Sequence, residues 1–356
     1  MLPPLFQAWL EHALGSTIPS EPRSTCDSCA MVAAPGRETP TIPFRADTKC
    51  CTYQPTLANF QVGGVLRGAE HDRSLAWAND MLEMRIAKRV GVTPMTISAD
   101  PLASLIYERI IEPSHPAFGR VKDVRCPFYV TQGGRCGVWR HRNAVCSTWF
   151  CRFDRGTRSK VFWRATQGLL RGLERTVTMH ALISLDIGGA ALEAMLLHDQ
   201  RPDGRVNDTV VPADPKTYAR MWGAWQGRER ELYVRAYEIA SALSGEDVVR
   251  IGGAELGALI QVVASALGRL QDDTLPERVT SNRAALYQIN GSKVRSAPQG
   301  LGYDPFDLDR DLFERALGWR GQPVADLVAG EGQPAVDEPT LRRMLDYGVL
   351  VPGGDS

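Results

Sequence analysis

The chain has 356 residues, 44% of them hydrophobic and 23% charged, which is the composition of a globular protein of about two domains. Lys plus Arg and Asp plus Glu both number 41, so the net charge is zero, which argues against a protein held to nucleic acid by bulk electrostatics. There is no uninterrupted run of about 20 apolar residues and no basic leader before an apolar stretch, so the expectation is a cytoplasmic protein with no membrane partner. Only 6 of the 41 cations are Lys, a bias that a GC-rich bacterial genome would give.

Taken in chain order, segment 1–24 predicts a short amphipathic helix with Leu5, Trp9, Leu10 and Leu14 along one side. The next stretch, punctuated by Pro35, Pro40 and Pro43, reads as a loop and carries the first cysteine group, Cys26, Cys29, Cys50 and Cys51. A C-x-x-C pair suits metal binding because a tight turn brings both sulfurs to one ion, although redox motifs share the spacing. Side chains of neighbouring residues in extended backbone point to opposite faces. The vicinal pair Cys50–Cys51 therefore either sits in a bent loop or serves two places. Further on, Trp77, Met81, Met84, Ile86 and Val90 approximate a helix stopped by Gly91 and Pro94. Leu102, Leu105, Ile106, Ile110 and Ile111 suggest a second, stopped by Pro113 and Pro116.

The second cysteine group follows, Cys126, Cys136, Cys146 and Cys151, with nine, nine and four residues between successive members. All eight cysteines thus lie in the first 151 residues. In a reducing compartment such clustering points to ligands rather than disulfides. Gly133, Gly134 and Gly137 permit a sharp turn beside Cys136, and Pro127 follows Cys126 as a Pro follows one ligand in bacterial iron–sulfur runs. Phe128, Tyr129, Trp139, Trp149 and Phe150 would keep a site dry or simply pack a core. Arg135, Arg140, Arg142 and Arg152 would offset thiolate charge around a cofactor or coat a solvated face. His141 could be a ligand or donate to one, or be structural.

From about Lys160 the pattern turns helical, with Val161, Trp163, Leu169, Leu173, Val177, Leu182 and Leu185 on an amphipathic stretch, GAALEAMLLHD continuing it, and a connector through Asn207, Asp208 and Pro212. Asp214 and Pro215 read as the N-cap and first turn of the next helix. The helices up to about residue 275 suggest a bundle. Asn290–Gly291 is a hairpin signal. PFDLDRDLFERALGW reads as one helix whose start, Asp304 to Asp311, places negative charge at its N-terminus. EPTLRRMLDYGVLVPG reads as a helix running into an apolar strand. No phosphate-binding P-loop, dinucleotide fingerprint, H-E-x-x-H or G-x-S-x-G motif is present.

The cysteine pattern resembles that of the cysteine-cluster proteins with a zinc- or iron-chelating domain of the C-x-x-C-x-x-C-C type. The matching residues are Cys26, Cys29, Cys50 and Cys51, followed by Cys126-Pro127, Gly134-Arg135-Cys136-Gly137-Val138-Trp139, Arg142, Cys146 and Cys151. The family's third cysteine is Val32 here, and twenty residues separate Cys29 from Cys50. The resemblance covers roughly residues 25–158 and implies metal chelation by these cysteines. Some members look like protein lysine N-methylases acting on flagellin; no methyl-donor fingerprint accompanies the cysteines here, so this is a minor alternative.

Together these readings predict a mainly α protein: an N-terminal helical segment (1–24), an irregular cysteine-rich metal-binding domain (25–158), a helical domain (159–275) and a mixed, mostly helical C-terminal region (276–356). The expected cofactor is an iron–sulfur cluster of the 4Fe–4S type held by thiolates, with Arg135, Arg140 and Arg142 beside it. Its role would be redox, sensing or cluster-assisted modification, with a protein or redox partner. The alternative is a zinc-stapled structural or interaction module without catalysis.

Overall fold

The structure is a computed structural model that describes residues 2–24, 26–36, 40, 42–100, 103, 106, 117–199, 214–296 and 303–353. Helix α1 (Pro4–Leu14) opens on a proline, whose missing N–H has no partner in a first turn anyway, and stops at Gly15 in the left-handed region, φ 62°. It buries Phe6, Trp9 and Leu10, while Leu5 and Leu14 are half-buried. Turns then lead to β1 (Leu57–Ala58), α2 (Asn59–Gly68), α3 (Ala76–Lys88) and β2 (Thr96–Ile97), which pairs antiparallel with β1. The α3 face differs from the expected one. Ala78 and Leu82 are buried, whereas Trp77 and Met84 are exposed, because Trp77 turns outward and its indole Nε1 donates to Pro127 O at 2.8 Å. The helix expected over Leu102 to Ile111 lies, apart from two positions, outside the described residues.

A glycine hairpin, β3 (Tyr129–Val130) and β4 (Arg135–Cys136), and a one-turn helix, α4 (Ala144–Thr148), complete the cysteine-bearing segment. The long helix α5 (Gly156–Ser184), then α6 (Gly189–Asp199), α7 (Pro215–Trp222), α8 (Glu229–Ala242) and α9 (Gly245–Gln271) follow. Asp214 caps α7 as the sequence predicts, accepting from Thr217 N at 3.0 Å. The expected connector through Asn207 and Pro212 lies outside the described residues. Helix α9 kinks where Gly253 leaves helical geometry. Among the described residues α9 is long and apolar enough to cross a membrane by length and composition. Glu255, Gln261 and Ser265 interrupt its apolar run, so the sequence alone does not read as a spanning segment.

The remainder is mixed: β5 (Arg278–Ser281), β6 (Tyr287–Asn290), β7 (Lys293–Ser296), β8 (Phe306–Asp309), α10 (Arg310–Ala316), β9 (Gln322–Pro323), α11 (Val324–Ala329), α12 (Glu338–Asp346) and β10 (Leu350–Pro352). Strands β6, β7 and β8 form one antiparallel sheet, and β10, β5 and β9 another. The β6–β7 hairpin turns at Gly291, as expected. The single helix expected from Pro305 does not form, because Phe306 and Leu308 alternate with exposed Asp307 and Asp309 in a strand period before α10 begins. Asp304 is not part of a helix start. It is buried and accepts from Arg23 Nη2 and Tyr347 Oη, each at 2.8 Å. The helix-into-strand ending is present as α12 and β10.

The protein is mainly α and divides into two compact units, each built from three chain segments. Unit 1 comprises 1–20, 26–149 and 166–261; unit 2 comprises 21–25, 150–165 and 262–356. The grouping thus joins most of the cysteine-bearing segment with helices that the sequence reading kept in a separate domain. The core of unit 1 forms where α2 lies against α8. A Cβ at Gly63 would overlap the Tyr233 carbonyl, and one at Gly64 would overlap the His141 ring. Only glycine permits that approach. Val62, Val65 and Leu66 of α2, Leu82 of α3, Trp222 of α7 and Leu232 and Tyr233 of α8 fill this core, and Cys126 is part of it.

Candidate metal centre

Seven of the eight cysteines belong to unit 1, on five separate stretches of the chain. Cys26 and Cys29 lie in turns after α1, and Cys50 and Cys51 in a turn opened by Lys49, whose φ of 50° lies in the left-handed region. The vicinal pair therefore adopts the bent-loop form rather than an extended one. Cys126 N donates to Cys51 O at 2.8 Å, which ties the two cysteine groups by their backbone. Cys136 sits in β4 opposite Tyr129, after a turn in which Gly133 and Gly134 have φ of 84° and 58°. Cys146 is in α4, where Asn143 caps the helix by accepting from Cys146 N at 2.9 Å.

Two cations hold these loops. Lys49 Nζ donates to Cys26 O at 2.7 Å and to Gly134 O at 2.5 Å, so one ammonium joins the loops of Cys26, Cys50 and Cys136. Arg142 is 8% exposed; its Nη1 donates to Cys146 O at 3.1 Å and its guanidinium stacks 3.6 Å from the centre of the Trp139 ring. Burial pulls the pKa of Arg142 down, while Cys136, Cys146, Cys26 and Cys50 hold it up.

Burial pushes Cys126, Cys136 and Cys146 up, Cys136 to about 11; neighbouring thiols add to the rise and Arg142 relieves Cys136 and Cys146. Cys50 is raised by its hydrogen bond with Cys51 and then by burial. The same hydrogen bond lowers Cys51, but burial and the charges of Cys126, Cys136 and Cys146 outweigh it. Burial raises Cys29, against the pull of Lys49. Without added positive charge, thiols in this neighbourhood stay protonated; a multivalent cation would reverse that and release the protons.

The eight cysteines form no disulfide. Among the described residues no three His, Cys, Asp or Glu side chains stand ready-placed to hold a metal ion. By chemistry the donors are those of a soft-metal site, cysteine thiols with a buried guanidinium beside Cys136 and Cys146, so binding would have to draw these thiols together. Cys151 and Arg152 belong to unit 2, where Cys151 Sγ lies 3.3 Å from Ser24 Oγ. Of the arginines named with the cofactor, Arg142 is the one that acts on the thiols. Arg135 is exposed in β4, and Arg140 is exposed beside a cavity. His141 is half-buried, and burial together with Arg140 pushes it down to about 4, which favours the neutral ring.

Sequence reasoning passed over Lys49, Asn143 and Glu174. Lys49 directly precedes the vicinal pair, and Asn143 stands three residues before Cys146, a capping spacing, so both had a local signal. Glu174, on α5, had none. It accepts from Gln61 Nε2 at 2.9 Å and from Ala144 N at 2.8 Å, and burial raises it to about 7. Comparison with family models, with curated proteins and with solved structures gives no match for this chain.

Proposed function

We propose that unit 1 carries a thiolate metal centre and that the resident group is an iron–sulfur cluster of the 4Fe–4S type, serving a redox, sensing or cluster-assisted modification role. The observation that supports the reading is one buried arginine, Arg142, bonded to Cys146 O and held charged by Cys136, Cys146, Cys26 and Cys50 from four separate stretches of the chain. Four thiolates around a cluster leave net negative charge, and a guanidinium fixed beside them offsets it. Cys126, Cys136 and Cys146, with Cys50 or Cys51, are the residues that would hold the group. When bound, a cluster supplies one-electron chemistry. The chain's own residues exclude water with Phe128 and Tyr129, fix the loops through Lys49 and supply positive charge through Arg142.

A second reading, a zinc staple without catalysis, draws on a different observation: the described residues between 26 and 56 form no helix and no strand beyond an isolated bridge, so ligation would replace regular structure as the source of order there. Either reading is tested by single Ser substitutions. Cys126→Ser, Cys136→Ser and Cys146→Ser are each expected to lower metal content per chain. Full metal retention in all three variants would remove the proposal.

A further inference from the structure

We infer that a cavity in unit 1, between α1, α2 and the Trp139–His141 turn, is a binding site for a small organic acid with a carboxylate head and an apolar, ring-sized body. The inference does not depend on which metal, or whether any, the thiols hold.

The cavity measures about 300 Å³, the lower end of the range for small-molecule sites. Leu5 and Phe6 of α1, Phe60 of α2 and Leu75 give it apolar walls. Three polar groups line it without a hydrogen-bond or ion-pair partner among the described residues: the Arg140 guanidinium, the His141 ring and the Tyr237 hydroxyl. His141 and Tyr237 meet edge to face, ring centres 5.8 Å apart, so they present themselves together. The other polar lining is already engaged. Gln61 accepts from Ala58 N and donates to Glu174 and to Arg142 O, and Arg142 donates to the carbonyls of Trp139 and Cys146. Asp72 accepts from Ser74 N as the cap of a short turn, and that bond together with the charge of nearby Arg140 holds its carboxyl below the usual range, so a bound carboxylate would share Arg140 with Asp72.

What is left over is therefore donor-rich. Arg140 carries donors only, Tyr237 can donate, and a neutral imidazole donates through one nitrogen. Two guanidinium groups outweigh the single carboxylate of Asp72. Such a set is complementary to a group that accepts hydrogen bonds and carries negative charge, and a guanidinium matches a carboxylate with two parallel bonds. The apolar walls and the volume fit one ring attached to that head. A macromolecular acid does not fit a space of this size.

The probe is 4-fluorobenzoate, with 4-fluorobenzamide as its neutral isostere, each titrated into the full-length protein and followed by fluorine NMR. The carboxylate is expected to bind saturably and at least tenfold more tightly than the amide. Arg140→Gln, at an exposed position, should remove that tenfold preference. Tyr237→Phe, which keeps the ring, should weaken the carboxylate several-fold and leave the amide unchanged. Equal binding of the two probes, no saturable binding of either, or an Arg140→Gln protein that keeps the full preference would each overturn the inference.

Discussion

Arg142 donates from Nη1 to the carbonyl oxygen of Cys146 at 3.1 Å, so a buried cation is fastened to the backbone of a cysteine it also stabilises electrostatically. The guanidinium cannot swing away from the thiols without breaking this bond and the stack on Trp139. Its replacement by Gln removes positive charge beside Cys136 and Cys146. If the centre is iron–sulfur, the reduction potential should fall, because a more negative site resists an added electron. An effect of about 1 kcal/mol corresponds to roughly 40 mV for one electron, within reach of a redox titration. An unmoved potential with the cluster intact would mean that Arg142 only packs.

Lys49 spans the loops of Cys26 and Gly134 through two carbonyl contacts. Lys49→Met keeps the stem and removes the donors. Metal release to a chelator should become several-fold faster, with the metal content before challenge little changed. A release rate equal to that of the unmodified protein would show that the loops are held by other means.

Two half-buried groups in unit 1 give opposite pH dependences. Glu174 titrates near 7 when folded, against a value of about 4.3 for an unfolded glutamate. Its contribution is therefore present below about pH 4 and lost as pH rises towards 7. His141 titrates near 4 when folded, against about 6.5 unfolded, so its contribution is lost as pH falls through that window. Each is worth up to about 3 kcal/mol, and over about pH 4.5 to 6.5 they oppose each other. Glu174→Gln, whose amide oxygen can still accept from Gln61 and Ala144, should gain stability over the unmodified protein as pH rises towards 7. Denaturant titrations across that range check this; parallel stability curves would contradict it.

Glycine positions separate packing from propensity. Gly63→Ala places a methyl group into the Tyr233 carbonyl and should destabilise unit 1 by more than about 3 kcal/mol or prevent folding. Gly168→Ala, on α5 with nothing within 4 Å of the new methyl, should stabilise by up to about 1 kcal/mol. Melting temperatures of the two variants check both signs.

Much of the helical content was legible because apolar residues at helical spacing, Asp214 with Pro215, and the glycine stops are local signals. The α3 face was not. Trp77 fits the apolar spacing, yet a long-range hydrogen bond to Pro127 draws its indole outward. Nor was β8, where a strand period of two hid inside an acidic stretch that also suits a helix start. For the candidate site, the cysteine spacing with its glycines named the loops. It could not tell that Lys49 bends the vicinal pair, that Glu174 reaches in from α5, or that the segmentation into two units parts Cys151 from the other seven, since each depends on contacts distant in sequence.

The central claim is that the thiols of unit 1 hold a metal group. The direct test is iron, acid-labile sulfide and zinc analysis of protein purified without oxygen, with its visible spectrum. The account predicts bound iron and sulfide in equal amounts and a brown protein with broad visible absorption, all lost in Cys136→Ser and Cys146→Ser. A colourless protein with stoichiometric zinc would replace the cluster with the zinc staple. A folded protein containing neither iron nor zinc would contradict the claim itself.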